Sequence, residues 1–375
     1  MRRELGFGMM RLPLTEPGNS ASVDIETTRK MVDRFLEAGF TYFDTAFPYH
    51  EGRSETAVRE TLTERYPREA YQLATKLPTF SLENADGMRS IFDKQFEKCG
   101  VDYFDRYLIH NINGETVHTA DRLDVWDFVL REKENGRLKS VGFSFHDDAD
   151  LLDRILKDHP EMEFVQLQIN YLNWEDAAIQ SRRCYETARR HGKDIIIMEP
   201  VHGGALAALP EEAAERAGAQ GPAEQAALAL RFAAALDGVI MTLSGMSTPE
   251  QLDANLALFT DMEPLSAEEE AALPEVVEIL RRDIRVPCTG CNYCSACPQH
   301  IPISRYFALL NNYKGKSGQF SPQQMYYNNA VKQGYGRAED CIECRLCEEH
   351  CPQHIHVADK MKEVSKTFDH DQAAG

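Results

Sequence analysis

The sequence predicts an α/β protein in which a (β/α)8 barrel (a TIM barrel) is followed by a small, mainly α-helical domain. In residues 1–263, eight short β-rich runs alternate with longer amphipathic stretches, which is the length and rhythm of this barrel. Eight of the ten cysteines then fall within residues 288–351. A chain of 375 residues exceeds the usual size of one domain, which favours this two-part division.

The order of the elements supports the barrel. The predicted strands are Gly6–Met10, Thr41–Asp44, Tyr71–Thr75, Arg106–Ile109, Ser140–Ser144, Phe164–Ile169, Asp194–Met198 and Gly238–Leu243. The predicted helices between them are Glu26–Glu37, Glu55–Tyr66, Ala85–Cys99, Leu123–Asn135, Leu151–Lys157, Asp176–His191 and Ala223–Ala235. A doubly wound open sheet would alternate in the same way, but Gly6-Phe7-Gly8 lacks the third glycine of its phosphate-binding turn.

A helical connector follows the barrel. We expect the barrel to span residues 1–263, the connector 264–286 and the cysteine-rich domain 287–375. Ser266 and the acidic residues after it are typical of a capped helix start, and the helix should run to about Asp283. Two further helical patterns, Ile303–Tyr313 and Pro322–Lys332, separate the two groups of cysteines.

Composition excludes two classes of partner. The formal net charge of −19 argues against nucleic acid, whose phosphates would be repelled. No apolar run approaches the roughly 20 residues of a membrane span, so we expect no membrane partner. The start, Met1-Arg2-Arg3-Glu4-Leu5, lacks the apolar core of a secretion signal, which predicts a cytoplasmic protein.

The cysteines form two runs that each end in Cys-Pro. The first contains Cys288, Cys291, Cys294 and Cys297, and the second contains Cys341, Cys344, Cys347 and Cys351. The second run has the spacing of bacterial ferredoxins, and the first differs by one residue in its last gap. The alternatives are structural zinc sites and a disulfide framework, which is disfavoured without a secretion signal. We predict that all eight cysteines bind two 4Fe–4S clusters.

Two-cluster ferredoxins exchange their fourth ligands. By that rule Cys297 would join Cys341, Cys344 and Cys347, and Cys351 would join the first three cysteines of the first run. The shortened first run leaves this partition open.

Four polar residues stand at or just beyond successive strand ends, where barrel enzymes build their sites. They are Asp44, Tyr49, Lys76 and His110. Each alone has an ordinary explanation, such as packing for a loop tyrosine or helix capping for an aspartate. Their order at three neighbouring strands predicts a catalytic site.

On these residues the barrel resembles the aldo-keto reductases, whose Asp-Tyr-Lys-His tetrad falls on the same four positions. The stretch from Asp44-Thr45-Ala46 through Tyr49 to Gly52-Arg53-Ser54-Glu55 is similar to the family signature. The whole chain resembles the subgroup with a C-terminal ferredoxin-type 4Fe–4S domain. The resemblance implies an oxidoreductase that reduces a small aldehyde or ketone, or oxidises an alcohol, by hydride transfer from NADPH or NADH.

The reaction explains these residue types. Hydride addition puts negative charge on the carbonyl oxygen, so a proton donor must lie beside it. We expect Tyr49 to be this general acid, Lys76 to lower the pKa of Tyr49, Asp44 to hold Lys76, and His110 to orient the substrate oxygen.

The resemblance also implies the residues that contact the nicotinamide cofactor. Ser144 and Gln168 would hold the carboxamide, Met198 replaces the tyrosine on which the ring often stacks, and Phe145 replaces a common asparagine. The full predicted set is Met9, Ser144, Gln168, Met198, Ser244, Gly245, Ser247, Gln251 and Asn255. No Lys or Arg in the segment after the eighth strand marks a 2′-phosphate site, so NADP and NAD stay open.

Two redox systems in one chain leave three interpretations. Nicotinamide moves two electrons as a hydride, whereas a cluster moves one. The clusters could carry electrons between a ferredoxin-like partner and the barrel, or be structural or redox-sensing beside an ordinary carbonyl reductase. The third interpretation is an electron-transfer or sensing protein that binds nicotinamide without turnover. The complete tetrad favours carbonyl reduction; no flavin motif is recognisable.

Overall fold

The barrel closes in chain order. A computed structural model describes residues 4–16, 19–177, 179–313 and 322–369. Eight parallel strands run β1 to β8, and β8 pairs with β1, which confirms the predicted barrel. The strands are β1 (Leu5–Gly8), β2 (Tyr42–Asp44), β3 (Gln72–Pro78), β4 (Phe104–Ile112), β5 (Leu138–Phe145), β6 (Phe164–Gln168), β7 (Asp194–Met198) and β8 (Val239–Gly245).

Helices surround the barrel and are the main regular elements of the described C-terminal domain. Those of residues 4–283 are α1 (Ile25–Glu37), α2 (Ser54–Val58), α3 (Ala85–Cys99), α4 (Thr116–Arg122), α5 (Val125–Glu134), α6 (Ala149–Asp158), α7 (Ser181–Arg190), α8 (Glu211–Ala217), α9 (Pro222–Ala234), α10 (Pro249–Thr260) and α11 (Ala267–Asp283). The later ones are α12 (Ile303–Asn311), α13 (Pro322–Lys332), α14 (Leu346–Glu349) and α15 (Val357–Phe368).

Some strand ends differ from the prediction. β1 stops at Gly8, and Met9–Arg11 forms a turn of 3-10 helix. β3 and β4 run three residues past their predicted ends, to Pro78 and Ile112. These extensions are buried, and the β3–β4 register continues to Pro78 opposite His110, because the neighbouring strand supplies hydrogen-bond partners that composition alone does not reveal.

Two apolar layers hold the barrel together. Side chains such as Phe164, Met241 and Leu243 fill its interior, and a larger cluster packs between strands and helices. Glycine makes room for the interior aromatics, since a Cβ on Gly142 would lie 2.3 Å from the carbonyl oxygen of Phe164. Because the interior is filled, a site in this barrel is expected at the strand ends, as in other barrels of this type.

The connector helix packs on the barrel. Ser266 and Glu269 form a capping box at the start of α11, which satisfies N–H groups that a helix start leaves unpaired. The apolar face of α11, including Val276 and Leu280, is buried against α8 and its neighbours. The connector thus covers the outer layer of the barrel and delivers the chain to the C-terminal domain.

The C-terminal domain has a core of its own. Tyr306, Tyr327 and Phe368 pack together from α12, α13 and α15, and the cysteines lie at the margin of this core. Its mainly helical character confirms the prediction. Among the described residues, no helix is both long and apolar enough to cross a bilayer.

The C-terminal domain lies over the end of the barrel that carries the strand C-termini. Nη2 of Arg11 donates to the carbonyl oxygen of Thr289 over 2.7 Å. The amides of Gln168 and Gln353 exchange two hydrogen bonds, of 3.1 and 2.8 Å. Both contacts bring the cysteine-rich loops to the mouth of the barrel.

Candidate active site

A cavity of about 460 Å³ opens at the C-terminal ends of the strands. It is lined by residues of the barrel and by Cys291, Tyr293, Pro352 and Gln353 of the C-terminal domain. All four predicted catalytic residues, Asp44, Tyr49, Lys76 and His110, line this cavity. The two domains therefore share one site.

Lys76 and Asp44 form a buried ion pair at the base of the cavity. Nζ of Lys76 donates to Oδ1 of Asp44 and, over 2.7 Å, to the carbonyl oxygen of Thr45. Burial lowers the pKa of Lys76, and the charge of Asp44 opposes that effect. Burial likewise raises the pKa of Asp44 against the effect of Lys76. Lys76 and Asp44 therefore stay charged because each one's opposite charge offsets the effect of burial on the other.

Tyr49 reaches the cavity from the loop after β2. His50 and Glu51 both have a φ of 54°, and this sharp turn is fixed because Nε2 of His50 accepts from the N–H of Leu12 over 3.1 Å. Nζ of Lys76 lies 4.8 Å from the centre of the Tyr49 ring. The Lys76 ammonium thus lies over the Tyr49 ring, while its hydrogen bonds go to Asp44 and Thr45.

The net shift of the Tyr49 pKa is upward, whereas we expected a lowered pKa. Burial raises the pKa of Tyr49 well above its ordinary value, the charge of Asp44 adds to the rise, and a hydrogen bond from Tyr293 opposes it. Burial and the charge of Asp44, and not the Lys76 ammonium, lead the influences on this pKa. Tyr49 is therefore a protonated donor at neutral pH.

His110 is neutral and points its Nε2 into the cavity. Burial lowers the pKa of His110 well below its ordinary value, and the charge of Lys76 adds to this effect. The hydroxyl of Tyr293 lies 2.9 Å from Nε2 of His110. The rings of Tyr49 and Phe80 contact His110 edge to face, with centres 6.0 and 5.6 Å away.

Most of the predicted cofactor residues line the same cavity, which extends from the tetrad to the start of α10. Nδ2 of Asn255 donates to Oγ of Ser244 over 2.9 Å, and the N–H of Ser247 donates to Oε1 of Gln251 over 2.7 Å. The predicted residues found here are Ser144, Met198, Ser244, Gly245, Ser247, Gln251 and Asn255.

Met9 and Gln168 lie outside this cavity. Met9 is fully buried in the barrel core, and its neighbour Met10 lines the cavity instead. Gln168 is bonded to Gln353 and Asn173. Gln166, two residues earlier on the same face of β6, lines the cavity with its Oε1 buried and unpartnered, which fits an acceptor for the N–H of a carboxamide.

Several residues of the site were not predicted. Tyr293 and Gln353 come from the C-terminal domain, and Arg11 and Glu199 form an ion pair of 3.8 Å at the cavity wall. Burial raises the pKa of Glu199, and the charge of Arg11 opposes the rise. The one signal for Tyr293 in the sequence was its place between two predicted metal ligands.

The first three cysteines of the first run lie near Cys351 of the second run. Burial raises the pKa of the Cys291 thiol, and three neighbouring thiols add to the rise. Those neighbours are Cys288, Cys294 and Cys351. Four soft sulfur donors at one place fit an iron–sulfur cluster.

The remaining cysteines line a second, smaller cavity. They are Cys297, Cys341, Cys344 and Cys347. All ten cysteines of the chain are free. Among the described residues, no three His, Cys, Asp or Glu side chains lie close enough to share one metal ion. Four cysteines that line one cavity again bring together four soft sulfur donors, as at the first site.

Comparison with known proteins agrees with both domains. Residues 4–278 match the model of the aldo/keto reductase family, and residues 287–355 match that of a 4Fe-4S dicluster domain. An aldo-keto reductase of Mycolicibacterium vanbaalenii is 30% identical over 247 residues, which cover 64% of this chain and 79% of the relative. One from Mycolicibacterium smegmatis is 33% identical over 135 residues, 35% of this chain and 44% of the relative.

Solved structures share the barrel. A holo-form aldo-keto reductase from Bacillus halodurans aligns with a TM-score of 0.56 at 23% identity, covering 73% of this chain and 91% of that one. A Klebsiella pneumoniae aldo-keto reductase in complex with NADPH aligns with a TM-score of 0.54 at 18% identity, covering 73% and 90%. The chain belongs to the aldo/keto reductase family and carries a C-terminal 4Fe–4S dicluster domain.

Proposed function

We propose that the chain catalyses the NAD(P)H-dependent reduction of an aldehyde or ketone, or the reverse oxidation of an alcohol, with Tyr49 as general acid. One observation carries this proposal. The four predicted catalytic residues line a single cavity together with seven of the predicted cofactor residues. A cavity lined by a buried ion pair, a protonated phenol and a neutral imidazole has the groups that carbonyl reduction requires.

Each residue has a defined task. Bound NAD(P)H supplies the hydride. Tyr49, protonated at neutral pH, donates its proton to the substrate oxygen, which becomes strongly basic as the hydride is added. Nε2 of His110 donates a hydrogen bond that orients the same oxygen. Lys76, held by Asp44, keeps a positive charge near the place where negative charge develops.

The cofactor residues divide into two groups. Ser144, Met198 and Gln166 surround the nicotinamide end of the cavity, and we assign the carboxamide to Gln166 because Gln353 engages Gln168. The segment after β8 would hold the adenosine end. A Klebsiella relative was solved with NADPH, which supports nicotinamide as the cofactor class and leaves NADP or NAD to measurement.

The eight clustered cysteines would bind two 4Fe–4S clusters. In the first site, Cys351 joins the first three cysteines of the first run, and in the second site Cys297 joins the first three of the second run. The thiols that influence one another in the first site, and the shared cavity of the second, support this exchange of fourth ligands.

The first cluster site adjoins the catalytic cavity. Cys291 lines the same cavity as Tyr49, so a cluster held by Cys291 would border the catalytic cavity. The second site is more exposed, since Cys344 is exposed and Ile342 and Leu346 expose 60% and 47% of their surfaces beside it. A ferredoxin-like electron partner would approach this apolar edge.

Turnover separates this proposal from the alternative, an electron-transfer or redox-sensing protein. Protein with both clusters is mixed anaerobically with NADPH or NADH and a panel of small aldehydes and ketones. Steady loss of nicotinamide absorbance with matching alcohol formation supports carbonyl reduction. Cofactor binding without oxidation across the panel favours the alternative. Bleaching of the cluster band without a carbonyl present would show that the two redox systems exchange electrons.

A further inference from the structure

Tyr293 of the C-terminal domain reaches into the tetrad. Its hydroxyl lies 2.9 Å from Nε2 of His110 and is hydrogen-bonded to the hydroxyl of Tyr49. In the proposed reaction, these two groups are the ones that bind the substrate oxygen. The oxygen of Tyr293 therefore occupies the position that the carbonyl oxygen needs.

The placement of Tyr293 is built into the structure. Its ring packs on Phe80 with the ring centres 5.8 Å apart, and it meets His110 edge to face at 85°. Asn292 just before it has a φ of 64°, and its side chain accepts from Oγ of Ser304. This left-handed residue bends the backbone just before Tyr293, whose ring lies against Phe80 and His110 of the barrel.

Two cysteines of the first cluster site flank Tyr293 in the chain. Cys291 lines the catalytic cavity beside it, and Cys294 belongs to the same group of thiols. The backbone at Tyr293 thus belongs to the first cysteine run, while its hydroxyl contacts His110 and Tyr49 of the barrel. A residue needed only to join the domains would not have to reach His110.

We propose that Tyr293 is a specificity-determining residue of the active site, which holds the oxygen position between Tyr49 and His110 until a carbonyl substrate displaces it. The inference rests on the proposed function. A substrate oxygen displaces the hydroxyl of Tyr293 and then accepts hydrogen bonds from His110 and Tyr49. Small carbonyls with strongly accepting oxygens are selected, because each must first replace hydrogen bonds already made within the protein.

The test compares Tyr293→Phe with the unaltered protein. Phenylalanine keeps the ring against Phe80 and removes only the hydroxyl. Protein with both clusters, saturated with NADP⁺ or NAD⁺, is titrated with acetate, whose carboxylate can accept from both Tyr49 and His110. We expect Tyr293→Phe to bind acetate about three- to ten-fold more tightly, the value of about one hydrogen bond. The KM for small aldehydes should fall by a similar factor without a matching loss of kcat.

Tyr335→Phe is the matched control, because Tyr335 lies in the same domain with 43% of its surface exposed. It should leave acetate affinity and KM unchanged. If acetate affinity and KM are also unchanged in Tyr293→Phe, Tyr293 serves only as a contact between the domains. Weaker acetate binding would make it a substrate ligand. Either result overturns the proposal.

Two further measurements keep the outcome clear. The iron content and visible spectrum of Tyr293→Phe must match those of the unaltered protein. If Tyr293→Phe fails to assemble clusters, Tyr293→Leu, which also lacks the hydroxyl, is tested in its place. Acetate binding needs no turnover. Tighter binding in a protein that reduces no carbonyl would contradict the proposed function alone, whereas turnover with unchanged affinity and KM would contradict this inference alone.

Discussion

A Cβ atom on Gly203 would lie 2.4 Å from the carbonyl oxygen of Thr289. Gly203 follows β7 in the barrel, and Thr289 directly follows Cys288 in the C-terminal domain. The two backbones touch, and Gly203 has a φ of 65° that also favours glycine. This contact holds the first cysteine loop against the mouth of the cavity.

Gly203→Ala should loosen the C-terminal domain from the barrel. Alanine at this φ costs about 1–2 kcal/mol by itself, and its methyl group would also force the backbone at Thr289 to move. We expect faster hydrogen exchange in the first cysteine loop and a lower thermal midpoint, measured on protein with both clusters.

Gly204→Ala separates the two causes of that effect. Gly204 also has a positive φ, of 100°, but a Cβ there would meet nothing within 4 Å. It should lower stability through backbone strain while leaving exchange in the cysteine loop unchanged. Equal exchange in both variants would show that the contact with Thr289 does not position the loop.

Asp44→Asn should destabilise the folded chain. It leaves the buried ammonium of Lys76 without a counter-charge, so the pKa of Lys76 falls further. Breaking a buried pair from one side costs about 3–5 kcal/mol. Urea unfolding measures this loss, and carbonyl reduction should fall with it.

An exposed pair provides the control for Asp44. Glu26 and Lys30 lie on α1 with their side chains 71% and 72% exposed. Glu26→Gln should change the free energy of unfolding by less than about 0.5 kcal/mol. A similarly small change in Asp44→Asn would mean that the Lys76 site is hydrated and not a dry ion pair.

Stability should decline in mild acid because of buried histidines. Burial lowers the pKa of His202 to about 4, from 6.5, against the charge of Asp176. Between these values the unfolded chain binds a proton that the folded chain excludes. The stabilisation is complete above pH 6.5 and is lost as pH falls, by up to about 1.4 kcal/mol per pH unit.

His202→Gln tests this pH dependence. The glutamine amide can still donate to Asn173, which now contacts Nδ1 of His202 at 3.0 Å, but it does not titrate. Thermal midpoints between about pH 7 and pH 5 should fall less steeply in this variant. His118→Gln, at an exposed position of α4, should keep the original slope; an unaltered slope in His202→Gln would exclude His202 as a cause.

Cys344→Ser should remove one cluster. Cys344 lines the second cysteine cavity with three other thiols, and a site that lacks one of four ligands should not retain its metal. We expect roughly half of the iron and a less stable C-terminal domain, because metal binding contributes to folding. Cys184→Ser, at a buried free thiol between helix and barrel, should keep the full iron content. Equal iron in the two variants would remove Cys344 from the ligand set.

Local patterns in the sequence predict much of this molecule. Alternating β-rich and amphipathic runs predict the barrel, because the patterns typical of strands and helices are formed by residues close together in the chain. The short cysteine spacing predicts the dicluster domain for the same reason. The strand order then brings Asp44, Lys76 and His110 to one end of the barrel.

Contacts between distant segments could not be read from the sequence. Tyr293 meets His110 across 183 positions and Gln353 meets Gln168 across 185, and no local pattern encodes either pair. Gln166 and Gln168 point to the same face of β6, so alternation cannot say which one lines the cavity. The pKa of Tyr49 depends on burial, which only the assembled site determines.

The most direct test of the proposed function is Tyr49→Phe. The variant removes the proposed proton donor and retains the ring beside Lys76. With both clusters in place, it should bind NADPH or NADH as the unaltered protein does and reduce aldehydes about 10²- to 10⁴-fold more slowly. Equal aldehyde turnover in the two proteins would contradict the assignment of Tyr49 as the general acid.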